Sequence, residues 1–249
     1  MREAPGAELH IWTARPADFG PTLSPDLHRF LDEAERERAA RFTHEADRRS
    51  YVLAHALRRT VLARWLGVDA HAICFSHEPQ GRPVLRGPGA GAVHFSHSRC
   101  RELVACAVTS VAAVGIDVET VRPDGADEDL IARFVVPGGD YPSGAHGPAS
   151  RFYFQWTALE AFWKAQGEGL ADTHPRIECR RNSRASFEIW LEGDSSGPSA
   201  RLLPIDIAGS ACVAVAIRGN AELEVRSQLC NGNSQLFKTP PSHEMLSPS

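Results

Sequence analysis

Hydrophobic residues recur at helical spacing in the first quarter of the chain. A predicted helix over residues 47–66 is carried by Tyr51, Ala54, Leu57, Val61 and Trp65. Gly67 follows the last of these positions and is a natural C-terminal cap. A charged stretch before it, residues 24–42, predicts another helix, with Ser24 as the N-cap and Pro25 at the first helical position.

Short apolar runs of strand character occupy much of the remainder. Residues 9–12 form one such run, and residues 102–109 and 111–119 predict a hairpin with a tight turn at Thr109 and Ser110. Further strands are predicted over residues 186–191, 202–207 and 211–217. Residues 137–148 read as a loop because glycine and proline interrupt them repeatedly. This order of elements predicts an α+β fold with mostly antiparallel strands.

Composition limits the classes of protein to which the chain can belong. Its 249 residues suffice for one large domain or two smaller halves, and 43% hydrophobic residues can form a sizeable core. No apolar run reaches the roughly 18 residues of a membrane span, and the first residues lack a basic-then-apolar signal, so we expect a cytoplasmic protein without a membrane partner. The net charge of −4 argues against nucleic-acid binding.

Cysteine and lysine usage adds two points. The six cysteines contain no CxxC pair or zinc-ligand spacing, so neither disulfides nor a zinc site are expected. Lysine occurs only at Lys164 and Lys238 among 27 basic residues. The arginine bias carries no function by itself, but it draws attention to each remaining lysine.

Two acidic residues alternate with apolar ones in the run from Val114 to Glu119. Asp117 and Glu119 project from the same side of the predicted strand, so their carboxylates repel each other. A hard divalent cation such as Mg²⁺ relieves that repulsion with oxygen ligands. The alternative is a strand whose acidic side faces solvent.

The third predicted helix, residues 151–166, combines an apolar face with a charged pair. The apolar face consists of Phe152, Trp156, Leu159 and Trp163. Glu160 and Lys164 lie beside it, four residues apart, which allows a surface salt bridge. A functional role is the alternative, because a lysine, unlike an arginine, can give up a proton.

A segment rich in serine and histidine, residues 94–98, precedes a predicted strand. Hydroxyl groups and an imidazole at a strand entrance can hydrogen-bond a phosphate. Other interpretations are a nucleophilic serine, although no GxSxG elbow is present, a histidine metal site without its further ligands, or a plain polar turn.

Taken in order, these segments resemble the Sfp-type phosphopantetheinyl transferases over most of residues 8–218. The matching motifs are Ser96-His97-Ser98, Gly115-Ile116-Asp117-Val118-Glu119, the helix from Trp156 to Lys164 with its glycine turn Gly167-Glu168-Gly169-Leu170, and the turn Gly81-Arg82-Pro83. The resemblance implies two similar α/β halves related by a pseudo-twofold axis, with the active site between them. We expect halves at residues 1–112 and 113–225, followed by a disordered tail at 226–249.

The resemblance also implies a reaction: a carrier-protein serine attacks the β-phosphate of coenzyme A and 3′,5′-ADP is released. Mg²⁺, or Mn²⁺, would be held by Asp117, Glu119 and Glu160. Glu160 would act as base and Lys164 as acid or neutralising cation. The phosphates of coenzyme A would meet a set comprising Arg38, Arg49, Arg82, Ser96, His97, Asp117 and Lys164, with His97 also among the catalytic residues.

The partner implied is an acyl or peptidyl carrier protein, and the family suggests a monomer. Three features depart from the family pattern: Leu159 replaces a usual lysine, His94 a frequent asparagine, and the loop at 137–148 a common helix. Two rival functions remain open, a magnesium-dependent phosphohydrolase and a non-catalytic binder of coenzyme A or a carrier.

Overall fold

The computed structural model describes residues 7–20, 25–78, 81–87, 89–142, 145, 147–182, 186–205 and 211–238. The helices are α1 (Pro25–His28), α2 (Glu33–Ala40), α3 (Glu45–Leu66), α4 (Glu128–Ala132) and α5 (Pro148–Gln166). The strands are β1 (Glu8–Ala14), β2 (Cys74–His77), β3 (Pro83–Arg86), β4 (His94–Arg99), β5 (Val104–Thr109), β6 (Val114–Thr120), β7 (Ile177–Arg181), β8 (Phe187–Leu191), β9 (Ala200–Ile205), β10 (Ala211–Arg218) and β11 (Glu224–Cys230). The α+β class is confirmed.

Two sheets form the centre of the fold. The first has the order β11-β1-β5-β4, and the second has the order β6-β10-β9-β8-β7. Neighbouring strands are antiparallel except β1 and β11, which are parallel. Helix α3 covers the outer face of the first sheet, and α5 covers the outer face of the second.

A third apolar cluster lies between the sheets. It joins Ile11 and Ala107 of the first sheet to Ile116 and Val215 of the second. The layers therefore run helix, sheet, sheet, helix. Alternate residues of each central strand pack against the covering helix on one face and against the other sheet on the opposite face. This packing brings β4 and β6 together at the boundary between the sheets, where the candidate site lies. The twofold relation between the halves stays a prediction.

The predicted hairpin of residues 102–119 is wrong. Strand β5 pairs with β1 and β4, whereas β6 pairs with β10 in the other sheet. The turn at Thr109 and Ser110 therefore carries the chain from one sheet to the next. A local alternation pattern identifies both strands but cannot specify their partners.

The helix predicted over residues 24–42 is divided in two. Asp32 separates α1 from α2: its side chain accepts a hydrogen bond from the Glu35 backbone N–H at 2.8 Å, while the Glu35 side chain accepts one from the Asp32 N–H at 2.9 Å. This reciprocal capping box starts a new helix. Ser24, the predicted cap, lies outside the described residues.

The prediction of a disordered tail from residue 226 is wrong for the described part. Strand β11 extends the first sheet by pairing with β1. Leu236 and Phe237 then pack against the core beneath α3. Residues 239–249 lie outside the described part of the chain. Six of the seven β11 residues are exposed, so backbone pairing holds the strand without an apolar pattern in the sequence.

Two further findings concern the cysteines and the helices. All six cysteines are free thiols. Among the described residues, no helix has both the length and the apolar character that crossing a bilayer would require.

Candidate active site

A cleft of about 270 Å³ opens where the two sheets meet. One wall comes from the β3 turn and β4, and the other comes from α5 and its glycine turn. Its lining residues are Gly81, Arg82, Pro83, Phe95, Ser96, His97, Glu160, Lys164, Gly167, Glu168 and Gly169. Three motifs far apart in the sequence thus meet in one cavity.

The serine-histidine segment is itself part of strand β4, not a loop before a strand as the sequence suggested. Strand alternation turns Ser96 and Ser98 toward β6. The Ser96 hydroxyl accepts a hydrogen bond from the Ile116 backbone N–H at 3.1 Å, and Ser98 donates one to Asp117 Oδ1 at 2.9 Å. The two serines therefore connect β4 of the first sheet to β6 of the second.

His97 lies on the opposite side of β4, toward α3, and contacts the ring of His55 at 5.7 Å between centroids. Burial, together with the positive charge of Arg58 and further nearby cationic groups, holds the pKa of His97 well below its usual value. The imidazole is therefore neutral at pH 7 and can offer one donor and one acceptor.

Lys164 and Asp117 form the central ion pair of the site. The distance from Lys164 Nζ to Asp117 Oδ1 is 2.5 Å, and Asp117 is almost fully buried. The predicted surface salt bridge between Glu160 and Lys164 is not formed in the described residues. Lys164 turns toward β6 instead.

The close approach of α5 to β6 explains this pairing. Gly115 lies directly beneath the helix, and a Cβ at this position would stand 1.9 Å from the Ala161 carbonyl oxygen. Only a glycine permits this contact, so Gly115 sets the distance at which the Lys164 side chain can reach Asp117.

The remaining acidic residues lie in an environment that disfavours their charge. Burial raises the pKa of Glu119, and the charges of Asp117 and Glu160 add to the effect. Burial likewise raises the pKa of Glu160, against the opposing effect of Lys164. Asp117 Oδ2 is buried and has no hydrogen-bond partner in the described structure. A buried, unsatisfied carboxylate oxygen is costly, and a cation would relieve it.

The predicted metal ligands lie near one another, but their side chains do not surround a common point. The described residues contain no group of three or more ligating side chains in a geometry ready to hold a metal ion. The chemistry of the donor set nevertheless fits a hard cation, because it offers carboxylate oxygens and the unsatisfied Asp117 Oδ2.

Three members of the predicted coenzyme A set are not among the residues that line the cleft: the buried Asp117 and two arginines, Arg38 and Arg49. Arg49 donates hydrogen bonds to the carbonyl oxygens of Pro16 and Gly20, at 2.7 and 2.5 Å. Arg38 is exposed on the last turn of α2. Arg82, by contrast, lines the cleft and lies over Gly167, where a Cβ would meet its Nη1 at 2.7 Å.

Comparison with known proteins identifies the family. Residues 12–110 match the model of the 4′-phosphopantetheinyl transferase N-terminal region, and residues 113–216 match the 4′-phosphopantetheinyl transferase superfamily. A relative from Nostoc sp. strain PCC 7120, 4′-phosphopantetheinyl transferase HetI, is 32% identical over 169 residues, covering 66% of this chain and 70% of its own. The chain belongs to the 4′-phosphopantetheinyl transferase superfamily.

Another member, 4′-phosphopantetheinyl transferase Sfp of Bacillus subtilis strain 168, is 29% identical over 180 residues, which is 68% of this chain and 74% of its own. The chain is therefore an enzyme of the transferase class, as the sequence motifs indicated.

Ser98 belongs to the serine-histidine motif but is not among the predicted site residues. Because residues 94–99 form a strand, the i, i+2 spacing puts Ser98 beside Ser96, facing the acidic strand. The departure at Leu159 is also explained: its side chain is fully buried in the core under α5, so it replaces a charge without disturbing the helix.

Proposed function

We propose that this chain transfers the 4′-phosphopantetheine group of coenzyme A to a serine hydroxyl of an apo carrier protein and releases 3′,5′-ADP. The observation that carries the proposal is the cleft between the sheets, where Arg82 and His97 of one half face Glu160 and Lys164 of the other. Phosphoryl transfer depends mainly on positioning the phosphates and the acceptor and on stabilising the developing charge, which this arrangement of side chains can supply, and family membership supports the same reaction.

Coenzyme A binds with its phosphates toward the first half. Arg82 offers a guanidinium fork to a phosphate, and Ser96 and His97 offer polar contacts beside it. Neutral His97 hydrogen-bonds without adding charge. Arg49 is better explained as a structural residue, since it already bonds two backbone carbonyls. Arg38 serves at most the outer margin of the site.

Asp117, Glu119 and Glu160 are the proposed ligands of Mg²⁺, and Mn²⁺ suits the same oxygens. When bound, the cation supplies charge stabilisation for the phosphoryl oxygens. Its placement is supported by the unsatisfied Asp117 Oδ2 and by the raised pKa of both glutamates, whose burial and mutual repulsion a cation would offset.

Glu160 is the proposed general base. Glu160 lines the cleft, so its carboxylate can reach a hydroxyl group that enters beside the phosphates. The carrier hydroxyl oxygen forms a bond to the β-phosphorus, the bond from phosphorus to the 3′,5′-ADP oxygen breaks, and the hydroxyl proton passes to Glu160. Lys164 neutralises or protonates the departing phosphate.

The partner is an acyl or peptidyl carrier protein that offers the acceptor serine. We propose that the enzyme acts as a monomer, as the family resemblance implies, and that it acts in the cytoplasm, as the sequence predicts.

Release of 3′,5′-ADP from coenzyme A, measured with and without an apo carrier protein, tests the function. Release that requires the carrier supports transfer. Release without a carrier would identify a phosphohydrolase, and coenzyme A binding without release would identify a binder.

Replacing the base tests its role. Glu160→Gln should lower the turnover number by about 100-fold or more, because general bases contribute about 10²–10⁴ in rate. Coenzyme A affinity should change far less. Glu192→Gln is the matched control, since Glu192 is exposed and paired with Arg176 on the surface. An unchanged rate in Glu160→Gln would refute the assignment.

A further inference from the structure

The ammonium group of Lys164 occupies the acidic centre of the site. Besides the 2.5 Å contact with Asp117 Oδ1, Nζ lies 3.4 Å from the Ser98 hydroxyl oxygen and 3.4 Å from the Ile116 carbonyl oxygen. It is thus surrounded by three oxygen atoms of the two strands that face the cleft. Oxygen atoms of this kind are also ligands of hard cations.

The local sequence does not dictate this position. Glu160 stands four residues earlier on the same helix face, which is the usual partner for a helical lysine. Lys164 contacts the strand instead, and about a third of its side chain remains exposed to the cleft. The ammonium is therefore both anchored on Asp117 and open to the space where phosphates would bind.

The charges of the surrounding side chains explain the ion pair between Lys164 and Asp117. Asp117, Glu119 and Glu160 act on one another electrostatically, and Lys164 acts on both glutamates with the opposite sign. No other cationic side chain forms an ion pair with Asp117 within the described residues. The lysine is the counter-ion that the protein itself supplies to this carboxylate.

We propose that Lys164 is a built-in counter-ion that neutralises Asp117 in the metal-free enzyme and leaves it when a divalent cation is bound. Ser98 keeps its hydrogen bond to Asp117 Oδ1, so the carboxylate stays oriented while the ammonium moves toward the cleft. Cation binding and delivery of the Lys164 charge to the phosphates are then one coupled event. The inference rests on the proposed function, because it assumes a cation at Asp117.

Competition between ammonium and metal is measurable without coenzyme A or carrier. Isothermal titration of Mn²⁺ into the full chain compares wild type with Lys164→Met, which keeps the length of the side chain and removes its charge. We expect binding about tenfold tighter in Lys164→Met, equivalent to about 1.4 kcal/mol. Lys164→Arg keeps a cation and should bind like wild type. Lys238→Met is the matched control, since Lys238 is the second of the two lysines and lies at the surface.

Equal or weaker Mn²⁺ binding in Lys164→Met would overturn the inference while leaving the proposed metal site intact. Absence of Mn²⁺ binding in wild type and all variants would instead contradict the metal site of the proposed function. The two failures are therefore distinguishable.

A second measurement follows Lys164 in the unmodified protein, and a variant is needed only to assign the signals. With two lysines, a ¹⁵N spectrum of the side-chain ammonium groups contains two signals, and the one that disappears in Lys238→Met belongs to Lys238. We expect saturating Mg²⁺ to shift the Lys164 signal and speed its proton exchange, and to leave Lys238 unchanged. A Lys164 signal that stays in place while Mg²⁺ binds would overturn the proposal.

Discussion

Gly115→Ala tests whether one glycine sets the geometry of the active site. The added Cβ would stand 1.9 Å from the Ala161 carbonyl oxygen, 2.6 Å from the Ala165 backbone nitrogen and 2.9 Å from Lys164 Cβ. Ordinary contact begins at 3.4 Å, so β6 and α5 would have to separate by about 1.5 Å, the difference between 3.4 and 1.9 Å. Two of the obstructing atoms belong to the backbone and cannot rotate away.

The cost follows from this overlap. Overpacking of a core costs about 1–3 kcal/mol, and a clash with backbone belongs at the upper end, so we expect a loss of about 3 kcal/mol in the free energy of unfolding. For a chain of this size that lowers Tm by about 6–12 °C. The same displacement lengthens the 2.5 Å contact between Lys164 and Asp117, so the transfer rate should fall as well.

Thermal unfolding and carrier modification, measured on the same preparations, check both effects. Gly169→Ala is the control for stability, because a Cβ there meets nothing within 4 Å. Its Tm should stay close to that of wild type, within about 0.5 kcal/mol. If Gly115→Ala unfolded at the wild-type temperature and transferred at the wild-type rate, the close approach of α5 to β6 could not be what positions Lys164.

Two further predictions concern buried carboxylates. Glu35 accepts hydrogen bonds from Arg58 at 2.5 Å and Arg59 at 2.7 Å, and these cations with His55 outweigh burial and hold its pKa far below the ordinary value. The stability it contributes is therefore present above about pH 4.3 and is lost as pH falls below that value. Glu35→Gln should cost about 3 kcal/mol at pH 7, as breaking a buried pair does, and its Tm should fall less than that of wild type between pH 5 and pH 3. An equally steep fall would contradict the role of Glu35. For Glu119, burial and the charge of Asp117 raise the pKa in the folded protein. Its ionised form therefore destabilises the fold, and this loss develops as pH rises from the ordinary glutamate pKa of about 4.3 to the higher pKa of the folded state. Glu119→Gln should raise the Tm of the metal-free protein in EDTA and reduce the further gain given by Mg²⁺; a lower Tm in EDTA would count against repulsion in this cluster.

The helices show what a local pattern can predict. Residues 47–66 and 151–166 each bury an apolar face against one sheet, so their periodicity was sufficient, and the structure confirms both within a few residues. The ends and breaks of helices are harder to predict from the sequence. The division at Asp32, for example, depends on a capping box inside a uniformly charged stretch.

Strand pairing could not be predicted because it depends on distant parts of the chain. Leu9 pairs with Val225 on one side, 216 residues away in sequence, and with Thr109 on the other, 100 residues away. Strand β11 also lacks an apolar face, so nothing in its sequence distinguished it from a disordered tail.

For the site, the residue types indicated the chemistry and the fold determined the contacts. Motifs and spacing predict Asp117, Glu160 and Lys164 as site residues, but the partner of Lys164 depends on how closely α5 approaches β6. That distance is a property of the packed structure. Arg49 illustrates the converse: the family resemblance implies phosphate binding, whereas its guanidinium bonds the backbone of residues 16 and 20.

We propose that the cleft between the sheets transfers phosphopantetheine to a carrier protein with the help of a divalent cation. The most direct test is the intact mass of an apo carrier protein after incubation with this enzyme, coenzyme A and Mg²⁺. We expect the carrier mass to increase by one phosphopantetheine group, and this increase should be absent in EDTA and with Glu160→Gln. A set of acyl and peptidyl carriers that all keep their apo mass, although coenzyme A binds, would contradict it.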